Sequence, residues 1–352
     1  MELASMLKEA VDRDASDVFV VSGLPVAFKI NNRIEHQDMP SLKPQDAYDL
    51  ISGIYALAGG RNLDPLITGG DDDFSFSIPG VSRFRVSAYK QRGSLAAVIR
   101  VVKFELPDPA KLGITDTVMS LADWQKGLVL VTGPAGSGKS TTLACLIDRI
   151  NSTRTAHVIT LEDPIEYLHS HKKSIVSQRE IATDTESFVT ALRASLRQAP
   201  DVILLGEMRD AETIATAMTA AETGHLVFST LHTMGAANTI DRIIDAFPPD
   251  QQAQIRIQLS MVLQAVVSQQ LIPTVDGGVA AAFEVMFCNG AIRNMIRESK
   301  IHQIDSVIFS SGSEGMISMD TSILNLWKAG VISKQEAVTR SSSPDMMSRS
   351  TK

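Results

Sequence analysis

The 352 residues suffice for two or three domains with sizeable cores, and 44% hydrophobic against 21% charged residues is the balance of a globular chain rather than a disordered or fibrous one. A net charge of −7 argues against general nucleic-acid binding, which clustered Lys and Arg supply, and four tyrosines with two tryptophans leave little for stacking single strands. No apolar run reaches the roughly 18 residues needed to cross a bilayer, and Met1-Glu2-Leu3-Ala4-Ser5 lacks the basic start and apolar stretch of a secretion signal, so a cytoplasmic protein is expected. The two cysteines, Cys145 and Cys288, make neither a disulfide framework nor a zinc quartet and read as small core residues.

Leu3, Leu7 and Val11 fall at helical spacing in residues 2–13, and Asp17-Val18-Phe19-Val20-Val21 then reads as a strand. Gly23-Leu24-Pro25 turns into Val26-Ala27-Phe28-Lys29-Ile30, and Asn31-Asn32 supplies the next hairpin turn. Pro44 suits a first helical turn, opening a helix that runs through Ala47 to Leu57 and ends before Gly59-Gly60. Phe74-Ser75-Phe76-Ser77-Ile78, the Pro79-Gly80 turn and Arg83-Phe84-Arg85-Val86-Ser87-Ala88-Tyr89 alternate in the manner of a sheet with one wet face. Phe84, Val86 and Ala88 point to a core, Arg83 and Arg85 face outward, and residues 95–102 return as a third strand bearing Arg100. Residues 1–104 therefore read as a small α+β domain, and the two prolines of Leu106-Pro107-Asp108-Pro109 mark a linker over 105–112.

From Gly127 the pattern changes to short, continuous, β-branched runs separated by helices, the signature of a parallel sheet covered on both faces. Strands are expected at 128–131, 158–161, 202–205 and 226–230, within an α/β domain spanning 113–340. Beyond Asn238 the chain reads as mainly helical, with one amphipathic stretch over 252–269, a Gly277-Gly278 hairpin into 279–285, and helices to Ala329. The serine-rich residues 341–352 read as a disordered tail.

The first of these strands leads into Gly133-Pro134-Ala135-Gly136-Ser137-Gly138-Lys139-Ser140, which fits G-x-x-x-x-G-K-[ST], and a helix-compatible run from Ser140 through Thr141 to Ile147 follows. Gly133, Gly136 and Gly138 let the backbone curl so that successive N–H groups converge, and the helix adds its positive end. A nucleoside triphosphate is the expected occupant, with Lys139 reaching the β- and γ-phosphates and the Ser140 hydroxyl on Mg²⁺. A glycine-rich turn matching by chance is the alternative, and the correct flanks on both sides disfavour it.

The other core strands end at Glu162-Asp163-Pro164-Ile165-Glu166, at Gly206-Glu207-Met208-Arg209-Asp210 and at His232. Ligands of open α/β sheets bind at the carboxyl ends of strands, so these groups are expected to converge on the phosphate loop. Asp201-Val202-Ile203-Leu204-Leu205-Gly206-Glu207 reads as a Walker B strand with Glu207 just past its end, assigned to Mg²⁺ through water. Spacing alone leaves Glu166 open between a proton acceptor and a solvated loop carboxylate. It also leaves His225 and His232, which bracket the last strand, open between the site and structural caps, and without further ligands nearby zinc is not expected.

Together these segments resemble the Walker A, Asp box, Walker B and His box of the secretion ATPase superfamily. Ala291-Ile292-Arg293-Asn294-Met295-Ile296-Arg297-Glu298 is similar to the AIRNLIRE motif of the type IV pilus retraction ATPases. The resemblance runs from about Asp17 to Ala337. It implies a homohexameric ATP-hydrolysing motor whose subunits pair an N-terminal PAS-like domain with a RecA-like P-loop domain, ATP lying between them. It implies Glu166 as general base, Glu207 positioning Mg²⁺ through water, Arg85 and Arg100 approaching the γ-phosphate, and His225 and His232 in the site. It further implies an inner-membrane platform protein as partner, a paralogous retraction ATPase beside it, and a place at the inner-membrane face of the pilus base. Ala135 and Met295 stand where the family commonly has Thr and Leu, changes that leave the backbone cradle and an apolar helix position intact. The long amino-terminal extension and four-cysteine zinc insertion of pilus-extension and type II secretion ATPases are not found, which favours retraction. A type II or type IV secretion or pilus-assembly ATPase, and a nucleotide-binding regulator without turnover, are the alternatives.

Overall fold

The computed structural model describes residues 3–30, 33–102 and 106–351. Contacts divide the chain into two units, Met1–Glu105 with Glu166–Leu168, and Leu106–Ile165 with His169–Lys352. The expected Asn31-Asn32 turn and the first residue of the expected linker, Glu105, lie outside the described residues.

The amino-terminal unit runs α1 (Leu3–Asp12), β1 (Asp17–Val20), β2 (Ala27–Ile30), β3 (Arg33–His36), α2 (Pro44–Leu57), α3 (Asp64–Gly69), β4 (Asp71–Ile78), β5 (Ser82–Gln91) and β6 (Ser94–Val102). Its six strands form one antiparallel sheet in the order β3-β2-β1-β6-β5-β4. Alternation decides which face is dry: Phe84 and Val86 are fully buried and Ala88 nearly so, against Ile51 and Ile54 of α2, while Arg85 is exposed. α+β is therefore the observed class of this unit.

The second unit runs α4 (Asp116–Met119), β7 (Gly127–Thr132), α5 (Lys139–Thr153), β8 (His157–Glu162), β9 (Ile175–Glu180), α6 (Phe188–Ser195), β10 (Val202–Leu205), α7 (Ala211–Glu222) and β11 (Leu226–Leu231). It continues through α8 (Ala236–Asp245), α9 (Pro249–Val262), β12 (Leu263–Pro273), β13 (Val279–Phe287), α10 (Gly290–Arg297), α11 (Ile304–Ser310), α12 (Met319–Lys328), α13 (Lys334–Arg340) and α14 (Pro344–Ser350). Seven strands lie in the order β13-β12-β7-β11-β10-β8-β9, parallel except for the antiparallel edge strand β13. The continuous apolar strands feed two cores. Leu128, Leu130, Ile159 and Ile203 face the helices α6 to α10, whereas Val129, Val131, Val202 and Phe228 pack against α5. Cys145 and Cys288 are both buried. Among the described residues no helix is long and apolar enough to cross a membrane.

Two expectations are corrected, and one strand joins those expected. The stretch 252–269 is not one helix: α9 stops at Val262 and β12 begins at Leu263, because Val266 and Val267 complete the sheet between β7 and β13. Strand β9 carries too little apolar alternation to stand out, yet pairs with β8 along its whole length. The serine-rich end is ordered through α14, where Met347 enters a small core with Ile272, Met319 and Ile323 and the Asp320 carboxylate accepts the backbone N–H groups of Ser342 and Ser343.

Candidate active site

Parallel pairing puts the carboxyl ends of β7, β11, β10 and β8 on one edge of the sheet, in that lateral order. The loop leaving β7 turns through Gly133, Gly136 and Gly138 at φ of 140°, 76° and 86°, conformations that side chains resist. Space as well as torsion requires Gly133, since a β-carbon there would lie 2.1 Å from the main-chain oxygen of Gln269. Gly138 caps α5, so the helix opens at Lys139 with its unpaired N–H groups beside the loop. Lys139, only 9% exposed, donates from Nζ to the carbonyls of Gly133 and Pro134 at 2.8 and 2.9 Å. The buried Ser137 hydroxyl lies against Gly133 and has no hydrogen-bond partner among the described residues, an unmet group of the kind a phosphate oxygen satisfies. Pro134 and Ala135 form the exposed crest, and Ser140 and Thr141 are half-buried in the first helical turn.

One strand from β7, His232 leaves the end of β11, and two strands away, about 10 Å at ordinary strand spacing, Glu207 follows β10. Glu207 Oε2 lies 3.5 Å from His232 Nε2, and its Oε1 lies 2.5 Å from Arg209 Nη2. This ion pair holds the Arg209 guanidinium above its ordinary pKa. Asp210 closes the segment by capping α7, accepting the Thr213 N–H at 2.8 Å. The set can bind a polyphosphate, hold a hard cation with Ser140 and a carboxylate, and present an imidazole.

A further strand out, Glu162 accepts the Thr160 hydroxyl at 2.6 Å and the Gln178 amide at 3.3 Å. Glu166 is exposed and groups with the amino-terminal unit, as do Arg85 and Arg100. Those two arginines are direct cross-strand partners on β5 and β6, and Asp17 accepts from Arg100 Nε at 3.0 Å. His225 is not brought to this edge. It precedes β11, its carbonyl accepts the N–H of Gly127 at 3.0 Å, and its ring contacts the Ala220 carbonyl at 2.9 Å. Six strand residues, about 20 Å, separate it from the phosphate loop of the same subunit, which corrects its expected place in that site.

In the segment similar to the retraction motif, Arg293 Nη1 donates to the carbonyls of Ser260 and Met261 at 2.6 and 3.0 Å, a cation satisfying the last turn of α9. Arg297 and Glu298 are exposed on the same short helix end. The spacing of the sequence gives no sign of Gln269, which reaches the phosphate loop from β12, nor of Arg209 as the partner of Glu207.

Residues 2–312 match the family model described as Type II/IV secretion system protein. The chain is 43% identical over 345 residues, 98% of its length and 99% of the relative's, to the type IV pilus retraction ATPase PilT of Pseudomonas aeruginosa. It is 50% identical over 277 residues to a twitching motility protein of Neisseria gonorrhoeae, covering 78% of this chain and 74% of that one. A crystal structure of the pilus retraction motor PilT with bound ADP superposes with a TM-score of 0.90 at 46% identity, covering 99% of both chains. With its phosphate loop, acidic strand ends and a match to type IV pilus retraction ATPases over nearly its whole length, the chain belongs to the type II/IV secretion system protein family, among the type IV pilus retraction ATPases.

Proposed function

We propose that this chain is the motor ATPase of type IV pilus retraction, working as a homohexameric ring that hydrolyses ATP and withdraws pilin from the base of the fibre. ATPase activity belongs to the family itself. The observation that carries the reading is the gathering of the phosphate loop, Glu207 and His232 on one edge of the parallel sheet. The amino-terminal unit is read as PAS-like and the second as RecA-like.

In this reading the loop amides and Lys139 would hold the β- and γ-phosphates, and Ser140, with Glu207 through water, would hold Mg²⁺. The metal supplies neutralisation of charge on the transferring phosphoryl group. Glu166 takes a proton from the attacking water, so that ATP and water give ADP and phosphate. Arg85 and Arg100 bring positive charge to the γ-phosphate, and His232 holds the Glu207 carboxylate in place. The partners proposed are a membrane platform protein and a paralogous ATPase, with the ring on the cytoplasmic face of the inner membrane. Phosphate release by the purified protein with Mg²⁺, compared between wild type and Glu166→Gln, tests the assignment. Turnover lost by at least about a hundredfold in the variant supports it, and equal turnover in both removes Glu166 as the base. Deleting the gene tests the direction: cells that keep their pili but do not move fit retraction, and bald cells fit assembly.

A further inference from the structure

We propose that Gln269 is a positioning residue for the phosphate loop, a neutral strut that keeps the amide cradle in its nucleotide-binding shape. Register sets it there: Ser268 of β12 pairs with Thr132 of β7, so Gln269 follows beside Gly133, where the loop begins. The residue is 3% exposed and makes three approaches. Its main-chain oxygen covers Gly133 so closely that a β-carbon would lie 2.1 Å away. Its side-chain nitrogen lies 2.9 Å from where Gly138 would carry one. Its Oε1 accepts the Thr142 hydroxyl at 2.7 Å, one turn into α5. A single side chain thereby brackets Lys139 and Ser140 from both sides, and Thr142 is tied a second time by its N–H to the Gly138 carbonyl at 3.0 Å.

The chemistry of the group matters as much as its reach. Gly133 and Gly138 hold φ of 140° and 86°, and glycines left to themselves sample many other conformations. A loop held in one of them binds phosphate without first paying for its own ordering. A carboxamide can accept the Thr142 hydroxyl and pack on Gly138 while carrying no charge. A carboxylate would keep the same shape and the same hydrogen bond but set a negative charge beside the phosphates. The pairing of β12 with β7 is made by main-chain groups and by Val266 and Val267, so it does not depend on this side chain.

The inference rests on nucleotide binding by this chain, which wild-type ADP binding in the same assay reports separately. The full chain is prepared as wild type, Gln269→Ala, Gln269→Glu, Thr142→Val and the double variant Gln269→Ala/Thr142→Val. ADP affinity, KM and kcat for ATP, and thermal midpoint without nucleotide are measured for each. The expected result is a loss of ADP affinity of about tenfold in Gln269→Ala and in Thr142→Val, with the double variant no weaker than the weaker single one. KM rises in step while kcat at saturating ATP stays within about twofold. Gln269→Glu binds ADP more weakly than Gln269→Ala, and that excess shrinks as salt is raised. Additive losses in the double variant, affinities within about twofold of wild type for both Gln269 variants, or losses that follow the thermal midpoint alone would overturn the proposal.

Discussion

His232 Nε2 stands 3.5 Å from Oε2 of Glu207, a contact between the ends of two neighbouring parallel strands, with the carboxylate side chain 13% exposed and the imidazole 60% exposed. The acid is therefore held at the wall of the site while the histidine stays open to solvent. Glu207→Gln keeps the size of the side chain and removes its charge. Turnover is expected to fall by about a hundredfold or more, with ADP affinity changed far less, and His232→Ala to lose about tenfold in kcat. Phosphate release and fluorescent-ADP titration measure the two quantities separately.

His169 supplies a pH dependence. Burial is the chief cause that drives its imidazole from 6.5 down to about 4, with Lys172 nearby adding to the effect and Asp148 opposing it. The folded chain thus refuses a proton that the unfolded chain accepts, so stability is present above pH 6.5 and drains away as pH falls toward 4. The full loss is about 3 kcal/mol for a shift of that size. Thermal midpoints between pH 4 and 7 are expected to fall less steeply in His169→Gln than in wild type.

Arg293 and Arg297 lie four residues apart, so they share one face of α10, yet differ in work. Arg293→Ala leaves the carbonyls of Ser260 and Met261 without their guanidinium and is expected to cost about 2 kcal/mol in a denaturant titration. Arg297→Ala, at an exposed position, is expected to stay within about 0.5 kcal/mol of wild type and to keep ATP turnover. A twitching assay then reports whether the exposed arginine serves retraction.

Ordering of the carboxy-terminal helix is open to hydrogen exchange. Met347 is 4% exposed, and Met347→Asp puts a charge into that small core. Amides of α14 are expected to exchange at least about tenfold faster in the variant, while those of β7 keep their protection.

Elements with a strong local signal were legible. Pro44 opens α2 where a first-turn proline is expected, and the alternation of Phe84, Val86 and Ala88 assigns the faces of β5 correctly. The break between α9 and β12 was not legible. Residues 252–269 are compatible with a helix until β7 and β13 offer main-chain partners to the second half. Composition misled at the tail, because serine content says nothing of the pocket that receives Met347. The two histidines that bracket β11 are alike in the sequence, and only the direction of β11 separates them, sending His232 to the edge of the phosphate loop and His225 to the opposite edge.

The chemistry of phosphate binding was written in the sequence alone, because a P-loop is a local object: three glycines, a lysine and a helix start, contiguous along the chain, carry their geometry with them. What stands around that loop was decided only by tertiary structure. The lateral order of the strands sets Glu207 and His232 side by side, and a glutamine 127 residues from Thr142 becomes its hydrogen-bond partner, because burial of both sheet faces fixes a packing that no local pattern encodes.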